Sequence, residues 1–182
     1  KVESVNVFEE FMEMVRNPKY GYGKNMNPCL DCRIFTLKKA KEYMAKTGAK
    51  FVITGEVLGQ RPKSQMLHQI WTAERDADMV GYVVRPLTAL NLKPSVPEIE
   101  GWVDRSKLLG IKGRGRKEQM RLAKEKGILE YPSPAGGCLL TDKGFSRRLA
   151  DLIKRKKDFG VADIELLKNG RLFALSETVR LL

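Results

Sequence analysis

The stretch from Phe51 to Gln65, FVITGEVLGQRPKSQ, restricts the fold more than any other part of the chain. Phe51 to Thr54 are apolar or β-branched and predict a short buried strand. Gly55, Gly59 and Pro62 then break the chain into a polar loop. Ser64 is placed to cap a helix through Met66, Leu67, Ile70 and Trp71. A second strand is predicted over Tyr82 to Arg85. Strand, helix, strand at this spacing is the βαβ unit of a parallel sheet. Loops at the carboxyl ends of such strands are where α/β proteins hold ligands, and the free N–H groups of the following helix suit an anion. An ordinary βα connection has the same outline.

The flanking segments extend this unit. Apolar residues at helical spacing predict a helix over Val5 to Val15, stopped by Asn17 and Pro18. A second helix is expected from Arg33 to Lys46, with Ile34, Leu37, Ala40, Tyr43 and Met44 facing inward and Gly48 at its end. Leu87 to Pro97 is a proline-containing connection, and Ile111 to Lys117, IKGRGRK, is a basic glycine loop. Further helices are predicted over Glu118 to Lys126 and, capped by Thr141 or Asp142, through Phe145, Leu149, Leu152 and Ile153. Tyr131 to Cys138 reads as a loop. A short helix over Ala162 to Lys168, a turn at Asn169-Gly170 and a last strand over Thr178 to Leu182 complete the chain. A boundary is expected near Lys157 to Val161, separating an α/β domain over 1–157 from a linker and the start of another domain over 158–182.

Two side-chain populations carry the chemistry. Cys29 and Cys32 form a Cys-x-x-Cys pair just ahead of a predicted helix, and Cys138 follows Gly136-Gly137. Two thiolates at that spacing can clamp a metal ion or cluster or close a redox disulfide. Three cysteines can hold three irons of a 4Fe–4S cluster and leave the fourth open to a ligand such as sulfide. They can also act as a nucleophile and a persulfide partner, or bind zinc with His68. Glu56, just past the strand, is placed to reach a ribose or an adenine edge. The second population is basic. The net charge is +12, which suggests a polyanionic partner. Lys112, Arg114, Arg116 and Lys117 form one group; Arg147, Arg148, Lys154, Arg155, Lys156 and Lys157 form another. No apolar run reaches the ~20 residues that span a membrane, and no signal-peptide pattern is present. A cytoplasmic protein without a membrane partner is therefore expected.

In combination, TGEVLGQRPKSQ, VVRPLTAL, PSPAGGCLLT and NPCLDC resemble the later part of the PP-loop ATP-dependent tRNA thiolation enzymes. The first segment is similar to the TGE-x-x-GQ-x-x-SQ stretch of 4-thiouridine synthetases. NPCLDC is similar to the cysteine segment of the 2-thiouridylase branch, and DIELLKNGRLF resembles the opening of an extra C-terminal domain found in one subgroup. The resemblance covers roughly Asn27 to Phe173. It implies a partial adenine nucleotide α-hydrolase-like, Rossmann-like parallel sheet with flanking helices. It implies ATP, with magnesium, as the adenylating substrate for a uridine oxygen of tRNA, which sulfur from a donor protein or sulfide then replaces. It assigns Cys29, Cys32 and Cys138 to a 4Fe–4S cluster or to sulfur transfer. Thr54, Gly55, Glu56, Gly59, Gln60, Ser64 and Gln65 fall on the nucleotide side of the site. The phosphates of tRNA fall to Lys112, Arg114, Arg116, Lys117, Arg147, Arg148, Lys154 and Arg155. The Ser-Gly-Gly-x-Asp-Ser loop of the family does not occur in the sequence. The chain is accordingly expected to be a piece of a longer enzyme or a subunit completed by a partner, and not to adenylate alone. The alternative is a non-catalytic RNA-binding or adaptor module with a zinc or structural cysteine site.

Overall fold

The computed structural model describes residues 2–131, 137–169, 173–176 and 179–181. Helices alternate with very short strands only over 29–84, and the chain divides into two compact units, Cys29–Gly136 and Lys1–Pro28 with Gly137–Leu182.

The first of these units is a small α/β arrangement. Helix α2 (Cys29–Thr47) leads to β1 (Val52–Ile53), α3 (Leu67–Asp76) and β2 (Val83–Val84). The strands pair in parallel with Val52 opposite Val83 and Ile53 opposite Val84. The predicted βαβ order is thus realised as a two-stranded parallel sheet. Ile34 and Leu37 of α2 meet Ala73 of α3 and Ala77 just past its end, with Met79 and Val83, in one buried cluster. That packing holds both helices on the sheet, because these positions recur at helical spacing. Gly48 takes φ +72° just past the end of α2, a left-handed conformation that glycine enters without steric cost.

Several boundaries differ from expectation. Helix α2 begins at Cys29, four residues before the predicted start. Pro28 is tolerated just ahead of a helix and Asp31 in the first turn complements its dipole, so nothing delays the start. Tyr43 was expected inside and is exposed. The strand over Phe51 to Thr54 is not buried throughout: Ile53 is 62% exposed, because the described residues of this unit cover one face of the pair. Ser64 does not cap α3. The helix starts later, after Met66, and Ser64 is instead buried within the loop.

After β2 the chain folds back on itself. Leu109 and Ile111 donate their N–H groups to the carbonyls of Pro86 and Leu87, at 2.8 and 2.9 Å. Between them lie short turns and α4 (Val96–Ile99). This return delivers the basic glycine loop to α5 (Lys117–Glu125). Gly127, at φ +69°, closes α5, with its N–H on the Lys124 carbonyl and that of Ile128 on the Ala123 carbonyl. Such a paired closure turns the chain sharply and brings Ile128 back over Ala123.

The other unit is helical. It comprises α1 (Phe8–Arg16), α6 (Lys143–Arg155), α7 (Val161–Asn169) and a short antiparallel pair, β3 (Phe173–Ala174) with β4 (Arg180–Leu181). Val5 was expected on the inner face of the first helix and is exposed, ahead of the helix start. Met12, Val15, Phe145, Leu149, Leu152, Phe159 and Leu167 share one core. Residues on both sides of 157–161 therefore pack together in this unit. Asp142 caps α6 as expected, its Oδ1 accepting the Phe145 N–H at 2.7 Å. The segment around residues 132–136, and the turn at Gly170, lie outside the described residues.

Candidate functional site

The carboxyl ends of β1 and β2 lie side by side, since the strands are parallel and in register. Thr54 continues the pairing through its N–H to the Val84 carbonyl at 3.0 Å. The chain then enters the loop at residues 55–65, which is folded on itself. Gly59 donates to the Gln65 carbonyl at 2.7 Å, Gln60 to Val57 at 3.1 Å and Gln65 to Arg61 at 2.8 Å. Gly59 stands at φ +78°, so a side chain there would be strained.

This loop is tied directly to the basic glycine loop. Leu58 and Lys112 form a parallel bridge, and Gly113 donates its N–H to the Leu58 carbonyl at 2.7 Å. Leu58 in turn donates its N–H to the Thr88 hydroxyl at 3.3 Å. Two segments singled out separately in the sequence are thus one structural feature. Lys112, Arg114 and Lys117 are exposed around it, and Arg116 is half-buried.

A cavity of about 270 Å³ opens there. Gly55 and Gln60 of the first loop form part of its wall, with Leu87 from beyond β2 and Arg116, Gln119, Met120 and Ala123 from α5 and its entry. Ile128 and Tyr131 complete it. The mix of a few polar groups with an apolar lining, at the ends of parallel strands, is the usual setting for a small-molecule ligand. Gln119, Leu87 and Tyr131 were not singled out in the sequence. The available signal was spacing: Arg116, Gln119, Met120 and Ala123 recur at three- and four-residue intervals and so share a helix face.

Glu56 lies just past β1, as expected. Its carboxylate is buried in an ion-pair network. Oε2 accepts from Arg85 Nε at 2.9 Å and from the Thr54 hydroxyl at 3.3 Å. Arg33 Nε stands 2.7 Å from Oε1 as an ion-pair contact rather than a hydrogen bond. Arg85 also bonds Glu74, whose other oxygen accepts the Gly81 N–H at 3.2 Å. Both Glu56 oxygens are engaged by the protein, so its role here is to lock α2, α3 and both strand ends together. Ser64 and Gln65 are likewise buried, with Gln65 Oε1 lacking a hydrogen-bond partner.

Cys29 and Cys32 occupy the first turn of α2, three residues apart and both half-buried. That spacing puts them on one helix face. Neither is in a disulfide, nor is Cys138, which is exposed and belongs to the other compact unit. Among the described residues, no three His, Cys, Asp or Glu side chains stand together as a metal-holding group. The pair alone fits two-point ligation or sulfur relay; the third ligand is assigned by resemblance. His68 is exposed on α3.

In the second basic group, Arg148 donates to the Leu167 carbonyl at 2.9 Å and Arg155 bonds Asp151 at 2.8 Å, so both help to hold the helices. Lys156 pairs with Asp163 at 2.9 Å. Arg147 and Lys154 are exposed on α6. Among the described residues no helix is long and apolar enough to cross a membrane. Comparison with protein-family models, curated proteins and solved structures finds no match to this chain.

Proposed function

We propose that this chain takes part in ATP-dependent thiolation of a tRNA uridine, within an adenine nucleotide α-hydrolase-like fold. The observation that carries the reading is the cavity at the carboxyl ends of the parallel strands. Gly55 and Gln60 of the TGE-x-x-GQ segment meet Arg116 of the GRGRK segment in its wall. Two motifs identified by resemblance and by charge thus share one ligand-sized space.

In the proposed reaction a uridine carbonyl oxygen attacks the α-phosphorus of ATP, and pyrophosphate leaves. A sulfur nucleophile then attacks the activated carbon, and the oxygen departs with AMP. Groups that hold pyrophosphate are not recognisable in these residues, so adenylation is expected only where such a loop is supplied. This chain's own contribution is threefold. Gly55 and Gln60 border the nucleotide and uridine, with exposed Lys112, Arg114 and Lys117 beside them to attract phosphates. Arg147 and Lys154 extend that attraction to the tRNA backbone. Cys29 and Cys32 would carry the sulfur, as a persulfide or as ligands of a 4Fe–4S cluster to which the resemblance alone adds Cys138. A cluster, when bound, supplies an open iron that binds sulfide.

Anaerobic purification of the full chain tests the reading. Brown protein with about four irons per chain, or sulfur releasable from Cys29 or Cys32 by reductant, is expected. So is retention of tRNA at low salt that is lost at high salt. Colourless protein carrying stoichiometric zinc and no releasable sulfur would favour the adaptor reading. Failure to retain tRNA at any salt concentration would remove both.

A further inference from the structure

The wall of the cavity contains an amide with nothing to bond to. Gln119, in the first turn of α5, lines the cavity, and its Oε1 and Nε2 are both shielded from solvent without a hydrogen-bond partner. Buried side-chain polar atoms are paired in the large majority of cases, and an unpaired one opposes folding. A side chain that leaves both atoms unpaired is therefore a feature to be explained by what else enters the site.

The chemistry of the group restricts the answer. A carboxamide presents one acceptor and one donor side by side in a plane. Its complement is a planar edge with an adjoining donor and acceptor. Adenine offers N6–H beside N7 or N1, and uracil offers N3–H beside O4. The remaining lining suits the flat body of the same ligand: Leu87, Met120 and Ile128 are apolar, and Arg116, three residues before Gln119, brings a cation for a phosphate. The volume of about 270 Å³ is close to the lower end of small-molecule sites, roughly 300 Å³.

We infer that Gln119 is the base-reading residue of this cavity, hydrogen-bonding the donor–acceptor edge of a nucleobase seated against Leu87, Met120 and Ile128. The inference rests on the proposed function for its ligand class, since adenine and uracil are the bases that reaction brings to the protein. It goes beyond that reading by giving specificity to a residue outside the recognised motifs. Gln60, from the opposite loop, borders the same ligand but has no comparable orphaned amide.

The experiment titrates the full chain with AMP and with UMP, by calorimetry or by NMR. It then uses purine riboside monophosphate, which lacks the N6 donor, and N3-methyl-UMP, which lacks the N3 donor. One natural nucleotide is expected to bind, and to lose about ten- to a hundredfold in affinity when its donor is removed. Which one binds identifies the base. Gln119→Met, of similar length and without the amide, is expected to bind that nucleotide and its analogue alike. In the free protein the same substitution should raise the thermal unfolding midpoint, because it replaces an unpaired buried amide with apolar atoms.

Equal binding of nucleotide and analogue by the unsubstituted chain overturns the inference. So does unchanged discrimination in Gln119→Met, or a lowered midpoint in that variant, which would mean the amide is bonded in the free protein. Failure of both nucleotides to bind overturns it as well. The thiolation reading is judged separately, by tRNA retention and by the iron or sulfur content, so the two can fail independently.

Discussion

Arg85 shows how a single residue can carry more of this fold than its motif suggests. Its side chain is 2% exposed and bonds Glu56 and Glu74. Taking charges out of water is costly, and only the mutual pairing offsets it. Arg85→Met would leave the two carboxylates buried without their shared cation. We expect a loss of about 3–5 kcal/mol, read as a lower urea midpoint. Glu56→Gln separates two roles for that residue. If Glu56 acts through the network, the variant loses stability and keeps its intrinsic nucleotide affinity under conditions where it is folded. A stable variant with weakened nucleotide binding would instead restore Glu56 to the ligand. The sequence placed Glu56 correctly just past the strand. It did not reveal the network, because the partners Arg33, Glu74 and Arg85 come from three other elements and no local pattern links them.

At the scale of elements, side-chain caps and turns decide where helices begin. Asp142 was legible as the cap of α6, being a short acceptor immediately before an apolar periodic run. Asp142→Ala should cost about 0.5–2 kcal/mol of stability in chemical denaturation. Ser64 looked equally suited to α3 and is not its cap. The loop it belongs to closes through Gly59, Arg61 and Gln65 backbone bonds, and this delays the helix past Met66. Local propensity could not anticipate that tertiary closure. A third start, at α4, gives a pH dependence. Burial pushes the Glu98 carboxyl up, but hydrogen bonds from the Ser95 hydroxyl and N–H and from Arg105 outweigh it, and the group sits below its ordinary value of 4.5. A depressed carboxyl value means that the ionised form is favoured by folding. Its contribution is therefore present above the ordinary value and is lost as pH falls through the folded one. The protection factors of the Val96, Glu98 and Ile99 amides, corrected for the intrinsic slowing of exchange in acid, should fall on acidification below that ordinary value. Arg105→Ala should move that fall to higher pH; an unchanged profile would exclude the Glu98 pairing as its cause.

For the whole molecule, composition suggests the sign of a partner but not the surfaces that would meet it. The net charge of +12 pointed to a polyanion, and the parallel βαβ unit was legible from strand and helix periods. The joining of the loop at residues 55–65 to the basic loop was not, since it depends on the pairing of residues 86–87 with 109–111 far along the chain. The structure also divides the basic residues by what they touch. Arg148, Arg155 and Lys156 are engaged with the protein's own carbonyl and carboxylate groups. Arg147, Lys154, Lys112 and Arg114 are exposed. Phosphate binding releases counterions, so the logarithm of tRNA affinity should fall linearly with the logarithm of salt concentration. Each lost contact should flatten that slope by about 0.7–0.9. Replacing Lys112 and Arg114 with Gln is expected to weaken binding and flatten the slope, and replacing Arg147 and Lys154 is expected to do the same. Arg155→Gln should instead lower stability slightly, as befits a partly exposed pair within a helix, with little change in slope. If the exposed pairs leave the slope unchanged while Arg155→Gln alters it, the ion-paired residues face the RNA and the proposed phosphate surfaces are wrong.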